Sequence, residues 1–420
     1  MRLRLSRMEE TQITNADGGE VAAMREVVFV DGVRTPFGRA GDKGIYAGTR
    51  ADDLAVKALQ GLIERNPELP LERIDDVGIA ATTQQGDQGL TLGRTVSMLA
   101  GIPVTVPGFA LDRMCAGALT VASFMGAAIG SGQYDLAIAG GVEHMGKHPI
   151  GLDADPNPRF VAEKLVSPDA LNMGITAERL HDRFPALTKE RADRFGMLSQ
   201  QKVQAAYDRG DIQADLIPVA TRSETGWGLA TEDQGRRPET TMDGLATLKT
   251  PFRPHGRVTA GNASPLTDGA TVSLLAGADT ARELGLGAKM RLVGFGFAGV
   301  EPEVMGLGPV PSTEKALRRA GLTIDDIGLF ELNEAFAVQV LSFTDHFGIS
   351  DDDPRVNPWG GAIAIGHPLA ASGVRLMTQL ARQFAQRPDV RYGVTAMCVG
   401  LGQGGTAIWE NPHFDGKKGK

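Results

Sequence analysis

The chain of 420 residues carries a formal net charge of -8, and 42% of its residues are apolar, with no apolar run long enough to span a bilayer. This acidic balance excludes a global basic field for nucleic acid, although a local basic patch for a phosphorylated ligand remains compatible with it. Two cysteines, remote in the chain, exclude a disulfide framework and zinc-knuckle spacing, and they favour a reducing, cytoplasmic setting.

Residues 1–24 are predicted to form a disordered extension. Their basic residues are followed by Glu9, Glu10 and polar residues, where a secretory signal would have an apolar segment. From there, short apolar runs alternate with segments of helical spacing, which predicts an α/β layered fold. The predicted strands are 27–31, 77–82, 107–112 and 136–141, and the predicted helices are 52–64 and 116–130.

Between about 145 and 266 the chain becomes polar and rich in proline, with a helical pattern at 192–209 and an irregular run at 221–241. Such an insertion commonly shapes a ligand site, and a structural brace is the other interpretation. Beyond it, helices are predicted at 334–347 and 372–386 and strands at 392–397 and 406–410. The hexapeptide that begins at Ile74 recurs at Ile324, which indicates either two related halves or a chance match.

Cys115 lies directly after a predicted strand and at the start of a predicted helix. The free N–H groups and the dipole of a helix N-terminus stabilise a thiolate, so this position predicts a lowered pKa and a nucleophilic sulfur. The small neighbours Ala116 and Gly117 leave access to the sulfur. A small buried hydrophobic residue is the alternative interpretation.

Three further residues have chemistry of their own. Cys398 ends a predicted strand before a glycine-rich run, and a thiol with a pKa of about 8 can pass protons at neutral pH, although the run could also be a simple turn. His367 lies among small residues with no neighbouring ligand for a metal, and a neutral imidazole can accept a thiol proton or donate to an oxyanion. Asn333 directly follows a predicted strand, and capping of the next helix is its ordinary role.

Together and in this order, these segments resemble the thiolase family. The matching motifs are Met-Cys-Ala-Gly at 114–117, Gly-Asn-Ala-Ser at 261–264, Asn-Glu-Ala-Phe at 333–336, Gly-His-Pro at 366–368 and Cys-Val-Gly at 398–400. The resemblance implies a thiolase fold, with two duplicated βαβαβαββ halves in an α/β/α/β/α arrangement and an inserted loop domain. The implied boundaries are 25–144 plus 267–298 for the amino-terminal half, 145–266 for the loop domain that binds coenzyme A, and 299–420 for the carboxy-terminal half.

The resemblance also implies the chemistry. Cys115 would attack the 3-keto carbon of a 3-oxoacyl-CoA and keep the acyl group as a thioester while acetyl-CoA leaves. His367 would activate Cys115 and, with a water held by Asn333, form one oxyanion site. The N–H groups of Cys115 and Gly400 would form a second, and Cys398 would act as acid and base. Coenzyme A and acyl-CoA would be substrates, with no covalently bound cofactor and no metal.

For coenzyme A, the resemblance points to a set of contacts along the pantetheine arm and, at Arg237, near the nucleotide. They are Met173, Arg237, Phe252, Ala260, Ser264 and Phe336. A solvated surface residue is the alternative for Arg237. Three positions depart from the family pattern and bear on acyl chain length more than on chemistry. They are Gly117 where many members have Ser, Ala370 in place of a frequent Gly, and Asn172 where short-chain biosynthetic members tend to have His.

Within the family, a degradative 3-ketoacyl-CoA thiolase of fatty acid β-oxidation is favoured over an acetoacetyl-CoA thiolase that condenses two acetyl-CoA molecules. A non-catalytic protein that binds acyl-CoA or lipid is the alternative of another class, but it is expected to lack one of the chemical residues. A β-ketoacyl synthase ranks lower, because that relative has His or Asn where this chain has its second cysteine. The family implies a homodimer or homotetramer, or a partner in a β-oxidation complex.

Overall fold

A computed structural model describes residues 24–223 and 226–416 of the chain. The predicted extension at 1–24 lies outside the described residues apart from Met24, which is exposed. The strands of the described residues are β1 (Val27–Arg34), β2 (Gly38–Arg39), β3 (Asp76–Ala80), β4 (Gly108–Leu111), β5 (Leu136–His144), β6 (Val219–Ser223), β7 (Gly226–Ala230), β8 (Thr267–Gly277), β9 (Met290–Gly299), β10 (Ile327–Leu332), β11 (Tyr392–Val399) and β12 (Gln403–Glu410).

The helices confirm most of the predicted ones, and the helix predicted at 372–386 is confirmed at both ends. They are α1 (Ala51–Arg65), α2 (Leu92–Leu99), α3 (Gly117–Gly130), α4 (Arg159–Ala162), α5 (Met173–Arg183), α6 (Lys189–Arg209), α7 (Met242–Ala246), α8 (Ala278–Glu283), α9 (Pro309–Ala320), α10 (Ala337–His346), α11 (Ala362–Ile365) and α12 (Ser372–Gln386).

Two of the predicted local structures were wrong. The run 221–241 contains an antiparallel hairpin of β6 and β7 instead of being irregular throughout. Gly226 and Gly228 give β7 little strand preference of its own, so the pairing with β6 makes it a strand. The helix predicted from 334 begins at Ala337, because Phe336 is extended and forms a bridge with Ala263.

The two halves of the main sheet have the same strand pattern. In the order β4-β3-β5-β8-β1, β3 is parallel to both neighbours and β8 is antiparallel to both of its own. In the order β10-β11-β12-β9, β10 is parallel to β11, β12 is antiparallel to both neighbours, and a parallel bridge from Phe330 to Val356 stands in the place of β4. The two hexapeptide copies lead into β3 and β10, so the repeat reflects a structural duplication.

Three helical layers enclose the two half-sheets. Helices α1 and α2 pack on the outer face of the first half-sheet, and α9 and α10 pack on the outer face of the second. Helices α3 and α12 lie between the half-sheets, since Phe29 of β1 and Met397 of β11 belong to the apolar cluster that these helices share. The result is the predicted α/β/α/β/α arrangement.

The segment between β5 and β8 carries α4 to α7 and the hairpin, and within its described residues it adds no strand to the main sheet. Helices α5 and α6 of this segment pack against α10 of the second half, which places the insertion over the carboxyl end of β10. The predicted domain boundaries remain predictions. No helix in the described part of the chain has the length and apolarity that crossing a bilayer requires.

Candidate active site

A strained turn presents Cys115 at the start of α3. After β4 ends at Leu111, a single 3₁₀ turn, Met114–Ala116, leads into the helix. Met114 has a φ of +43°, in the left-handed region, and its N–H donates a hydrogen bond of 2.6 Å to the Asp112 carboxylate. The turn holds Cys115 with 8% of its surface exposed.

Two adjacent parallel strands deliver Asn333 and Cys398. Asn333 directly follows β10, and Cys398 is the penultimate residue of β11. The Asn333 N–H donates to the Ala396 carbonyl at 2.9 Å, which extends the pairing of the two strands by one residue. Both side chains are completely buried. Because the strands run in the same direction, residues at their carboxyl ends meet at one edge of the sheet.

His367 is held by hydrogen bonds on three sides. Its backbone N–H donates to Thr267 Oγ1 at 2.8 Å, its Nδ1 lies 2.5 Å from Ser372 Oγ, and its Nε2 lies 3.2 Å from Asn333 Nδ2. Gly366 makes the turn before it with a φ of +105°, where a Cβ would also lie 2.4 Å from the Thr267 side chain. These contacts fix the position and orientation of the imidazole ring.

One cavity of about 900 Å³ is lined by Cys115, His367 and Cys398. The Gly400 N–H donates a hydrogen bond to the Cys115 sulfur, and Cys115 lies close enough to Cys398 to raise its pKa. Asn333 reaches the group through its contact with His367. The structure therefore brings together the five residues for which the resemblance implies chemistry.

The predicted lowering of the Cys115 pKa is wrong. Burial raises the pKa of this thiol to about 12, the Gly400 N–H lowers the pKa only in part, and the charges of Glu143 and Asp112 raise it further. Burial also raises the pKa of Cys398 well above its usual range, so the expected value of about 8 is wrong as well. Desolvation of the charged form outweighs the helix N-terminus, and both sulfurs are neutral thiols at pH 7.

The imidazole is neutral at the same pH. Burial, followed by the positive charge of Arg375, lowers the pKa of His367 to about 3. A neutral ring can accept a proton, but its pKa lies so far below that of Cys115 that the two form no ion pair at rest. Charge can therefore separate only as the sulfur reacts with a bound substrate.

Every side chain expected to contact coenzyme A lines this same cavity. They are Met173, Arg237, Phe252, Ala260, Ser264 and Phe336. Met173 begins α5, and the Phe252 ring packs so closely there that a Cβ on Gly174 would lie 2.2 Å from it. The Ser264 hydroxyl donates to a backbone carbonyl at 3.2 Å, and Arg237 is exposed. The cavity thus combines an apolar wall with a basic residue open to solvent.

Two departures from the family pattern, Gly117 and Ala370, lie next to each other. A Cβ on Gly117 would lie 2.6 Å from the Ala80 Cβ and 3.1 Å from the Ala370 Cβ. The Ala370 methyl group therefore occupies part of the space that a side chain at position 117 would need. The third departure, Asn172, caps α5, because its Oδ1 accepts hydrogen bonds of 3.0 and 3.3 Å from the first turn.

Sequence reasoning missed three residues that hold the site. Thr267 and Ser372 bond to His367, and Arg375 donates to Asn333 Oδ1 at 3.1 Å. Thr267 lies at the start of β8, remote from the histidine in sequence, and nothing local marks it. Arg375 has no local signal either, because at helical spacing it shares a polar face of the predicted helix 372–386 with Gln379 and Arg382, and such a face is ordinarily exposed.

Two family models match the chain, the thiolase N-terminal domain over residues 27–279 and the thiolase C-terminal domain over residues 286–411. The chain belongs to the thiolase family. A 3-ketoacyl-CoA thiolase from Photobacterium profundum is 42% identical over 390 residues, which is 92% of this chain and 100% of that protein. A β-ketoadipyl-CoA thiolase from Escherichia coli is 40% identical over 405 residues, again 92% of this chain and 100% of that protein.

Solved thiolase structures confirm the predicted fold. Human mitochondrial 3-ketoacyl-CoA thiolase is 30% identical, with a TM-score of 0.84 over 93% of this chain and 100% of that chain. The acetyl-CoA acetyltransferase of Bacillus anthracis is 31% identical, with a TM-score of 0.82 over 93% and 99% of the two chains. As a thiolase, the protein is an acyltransferase that uses coenzyme A thioesters as substrates and no additional cofactor.

Proposed function

We propose that this thiolase cleaves 3-oxoacyl-CoA with coenzyme A, as in fatty acid β-oxidation, to give acetyl-CoA and an acyl-CoA shortened by two carbons. The observation that carries the proposal is the convergence of Cys115, His367 and Cys398 on the cavity that the expected coenzyme A contacts also line. The 3-ketoacyl-CoA thiolase of Photobacterium profundum, similar over its full length, supports the same substrate class.

The first half-reaction breaks the carbon-carbon bond. The Cys115 sulfur attacks the 3-keto carbon while its proton passes to Nε2 of His367. Because the proton leaves during the attack, the neutral thiol does not have to ionise first. The bond between C2 and C3 then breaks, the acyl group stays on Cys115 as a thioester, and the Cys398 thiol gives its proton to C2 of the departing acetyl-CoA.

The second half-reaction restores the enzyme. Cys398, now a thiolate, takes the proton of an incoming coenzyme A thiol, whose sulfur attacks the thioester on Cys115. The shortened acyl-CoA leaves, and His367 returns its proton to Cys115, so every proton is accounted for. Each substrate reacts with a separate form of the enzyme, which predicts ping-pong kinetics.

Two oxyanion sites complete the proposed mechanism. The N–H groups of Cys115 and Gly400 would stabilise the tetrahedral intermediate at the sulfur, and the hydrogen bond from the Gly400 N–H to this sulfur supports that assignment. His367 and Asn333, whose side chains are 3.2 Å apart, would hold the thioester oxygen, directly or through a water. Loss of one such donor typically slows a reaction by about 10²- to 10³-fold.

The wall beside His367 favours substrates with an alkyl chain. Met145, Leu266 and Leu369 line the cavity here, and Ile150 also lines the cavity. Ile150 is 51% exposed and Leu266 is 59% exposed, so this apolar wall opens to solvent. A wall of this kind can bury the methylene groups of a medium or long acyl chain, which the methyl group of acetoacetyl-CoA would leave uncovered.

Substrate profiling tests this preference. We expect 3-oxoacyl-CoA substrates of C10 to C16 to show a higher kcat/KM than acetoacetyl-CoA, since each buried methylene contributes about 0.8 kcal/mol, roughly fourfold in affinity. Negligible turnover of the longer substrates would favour the condensing acetoacetyl-CoA thiolase. Preference for 3-oxoadipyl-CoA would favour the activity named for the Escherichia coli relative. Binding of all substrates without turnover would favour the non-catalytic alternative.

We also propose that the protein forms a homodimer through the edge of β4. In the described residues this strand pairs only with β3, so its other edge is free to pair with a second copy. Exposed apolar side chains surround that edge, with Met98 50%, Leu99 56% and Phe124 45% exposed. A homotetramer or a β-oxidation complex would need further surfaces. The two free cysteines support a cytoplasmic, reducing location.

Light scattering tests the proposed interface. The wild-type protein is expected at about twice the 44.4 kDa mass of the chain, and Phe124→Asp is expected to shift it to the monomer, because a charge buried in the interface would be desolvated. Leu229→Asp is the matched control, since this residue is 62% exposed on β7, outside the proposed interface. Dissociation by the control alone would place the interface elsewhere.

A further inference from the structure

A completely buried arginine lies behind the catalytic group. Arg375 of α12 is 2% exposed, and its Nη2 donates to Asn333 Oδ1 at 3.1 Å. Its Nη1 donates to Gln379 Oε1 at 3.3 Å and lies 3.6 Å from a carboxylate oxygen of Glu331, which is also buried. Burying a guanidinium group beside a carboxyl group is costly, and an apolar pair of the same volume would often be at least as stable. A role beyond stability would explain its presence.

Arg375, Asn333 and His367 form a chain of hydrogen bonds in which every donor and acceptor is fixed. A guanidinium group only donates, so the Asn333 oxygen must face Arg375 and its Nδ2 must face His367. Because Nδ2 also only donates, the Nε2 of His367 must accept and the ring proton must lie on Nδ1. Nδ1 then donates to Ser372 Oγ at 2.5 Å, whose hydroxyl donates to the Pro368 carbonyl at 3.2 Å.

We infer that Arg375 is a positioning residue that, through the Asn333 amide, holds His367 as the tautomer with an unprotonated Nε2. This inference rests on the proposed role of His367 as the acceptor of the Cys115 proton. In the other tautomer Nε2 would carry a proton already and could not accept one, whereas in this tautomer the Cys115 proton takes the place of the Asn333 N–H at the lone pair of Nε2. The buried charge is therefore maintained because it selects the tautomer that the reaction requires.

The positive charge of Arg375 also favours an unprotonated His367. Arg375 is the second cause, after burial, of the low pKa of His367. The acidic groups that face Arg375 are Glu331, Glu334 and Asp233, with Arg34 the further cation, and Glu143 accepts a hydrogen bond from the loop after the histidine. Burial raises the pKa of Glu331 to about 8 against the opposing effect of Arg375, so this carboxyl is mostly protonated at neutral pH and offsets little of the Arg375 charge.

Nitrogen NMR of protein labelled with ¹⁵N-histidine measures the tautomer directly. The chain has seven histidines, so the loss of one signal in His367→Gln assigns the ring. We expect the wild type to show an unprotonated Nε2 and a protonated Nδ1 at pH 7. The paired substitution Glu331→Gln with Arg375→Met, which leaves no buried charge unpaired, is expected to give a mixture of tautomers. A protonated Nε2 in the wild type would overturn the inference, whether or not any variant folds.

The pH dependence of kcat/KM separates positioning from a merely structural role. The paired variant is expected to lose roughly 10- to 100-fold in activity, as when an orienting partner is removed from a site. Its activity should also fall at a higher pH on acidification, because without the Arg375 charge the pKa of His367 rises. Arg375→Lys, which keeps a cation, should show a smaller shift of the pH at which activity falls. Arg382→Met, on the same helix but paired with Asp215 at 2.8 Å, is the matched control and should change neither property.

Two outcomes would contradict the inference. One is a uniform loss of activity at all pH values with an unchanged wild-type tautomer in the paired variant, which would mean that Arg375 only supports the fold. The other is a tautomer change in the Arg382→Met control. Absence of thiolysis by the wild-type protein would instead contradict the proposed function, and the NMR result would still decide the tautomer.

Discussion

Cys115→Ser is expected to abolish thiolysis, with kcat lower by about 10⁶-fold, the scale observed when a nucleophile is removed. A serine hydroxyl is a far weaker acid than a thiol, and His367, with a pKa of about 3, is too weak a base to compensate. The variant should form no acyl-enzyme with acyl-CoA. A thiolysis assay measures the first effect, and intact-protein mass spectrometry measures the second.

The binding of coenzyme A is the control for this variant. The expected pantetheine contacts do not include the Cys115 sulfur, so the dissociation constant measured by calorimetry should change little. Because His367 stays neutral above a pH of about 3 and Cys115 stays protonated below about 12, neither group should impose a pH dependence on wild-type acylation near neutrality. An acyl adduct on a different residue of the serine variant would contradict the assignment.

Cys398→Ala is expected to separate the two chemical steps. Carbon-carbon cleavage should fall by about 10²- to 10⁴-fold, the usual contribution of a general acid or base, because no proton donor then faces the carbanion. Acylation of Cys115 by an acyl-CoA should remain partly intact, since the coenzyme A thiolate is a much better leaving group than a carbanion. The raised pKa of Cys398 fits this role, because it keeps the proton on sulfur until the carbanion at C2, a strong base, forms.

Both steps can be followed on the same preparation. Mass spectrometry after a short incubation with acetyl-CoA gives the acylation of Cys115, and consumption of a 3-oxoacyl-CoA gives cleavage. Cys398→Ser is the matched comparison, since a hydroxyl keeps a proton in place but is a weaker acid. Equal loss of acylation and cleavage in the alanine variant would contradict the proposed roles, in which Cys115 is the nucleophile and Cys398 is the acid and base.

The elements of the fold could be predicted where local sequence decides them. The apolar residues of 372–386 recur at helical spacing over several turns, the segment 116–130 is almost wholly apolar over the length of a helix, and both helices form there. The hairpin of β6 and β7 could not be predicted in this way, because β7 contains two glycines and exists through its pairing with β6. The start of α10 at Ala337 depends likewise on the bridge between Phe336 and Ala263, remote in sequence.

By itself, the sequence was enough to predict which side chains carry the chemistry, since Cys115, His367 and Cys398 each lie in a short motif with a local signature. Only the tertiary structure decided their state. Burial makes Cys115 a neutral thiol, the reverse of the thiolate expected from the helix N-terminus, and it also keeps the Cys398 thiol and the His367 imidazole neutral. The physical reason is that the desolvation of a charge depends on every group packed around it, and most of these groups come from distant parts of the chain.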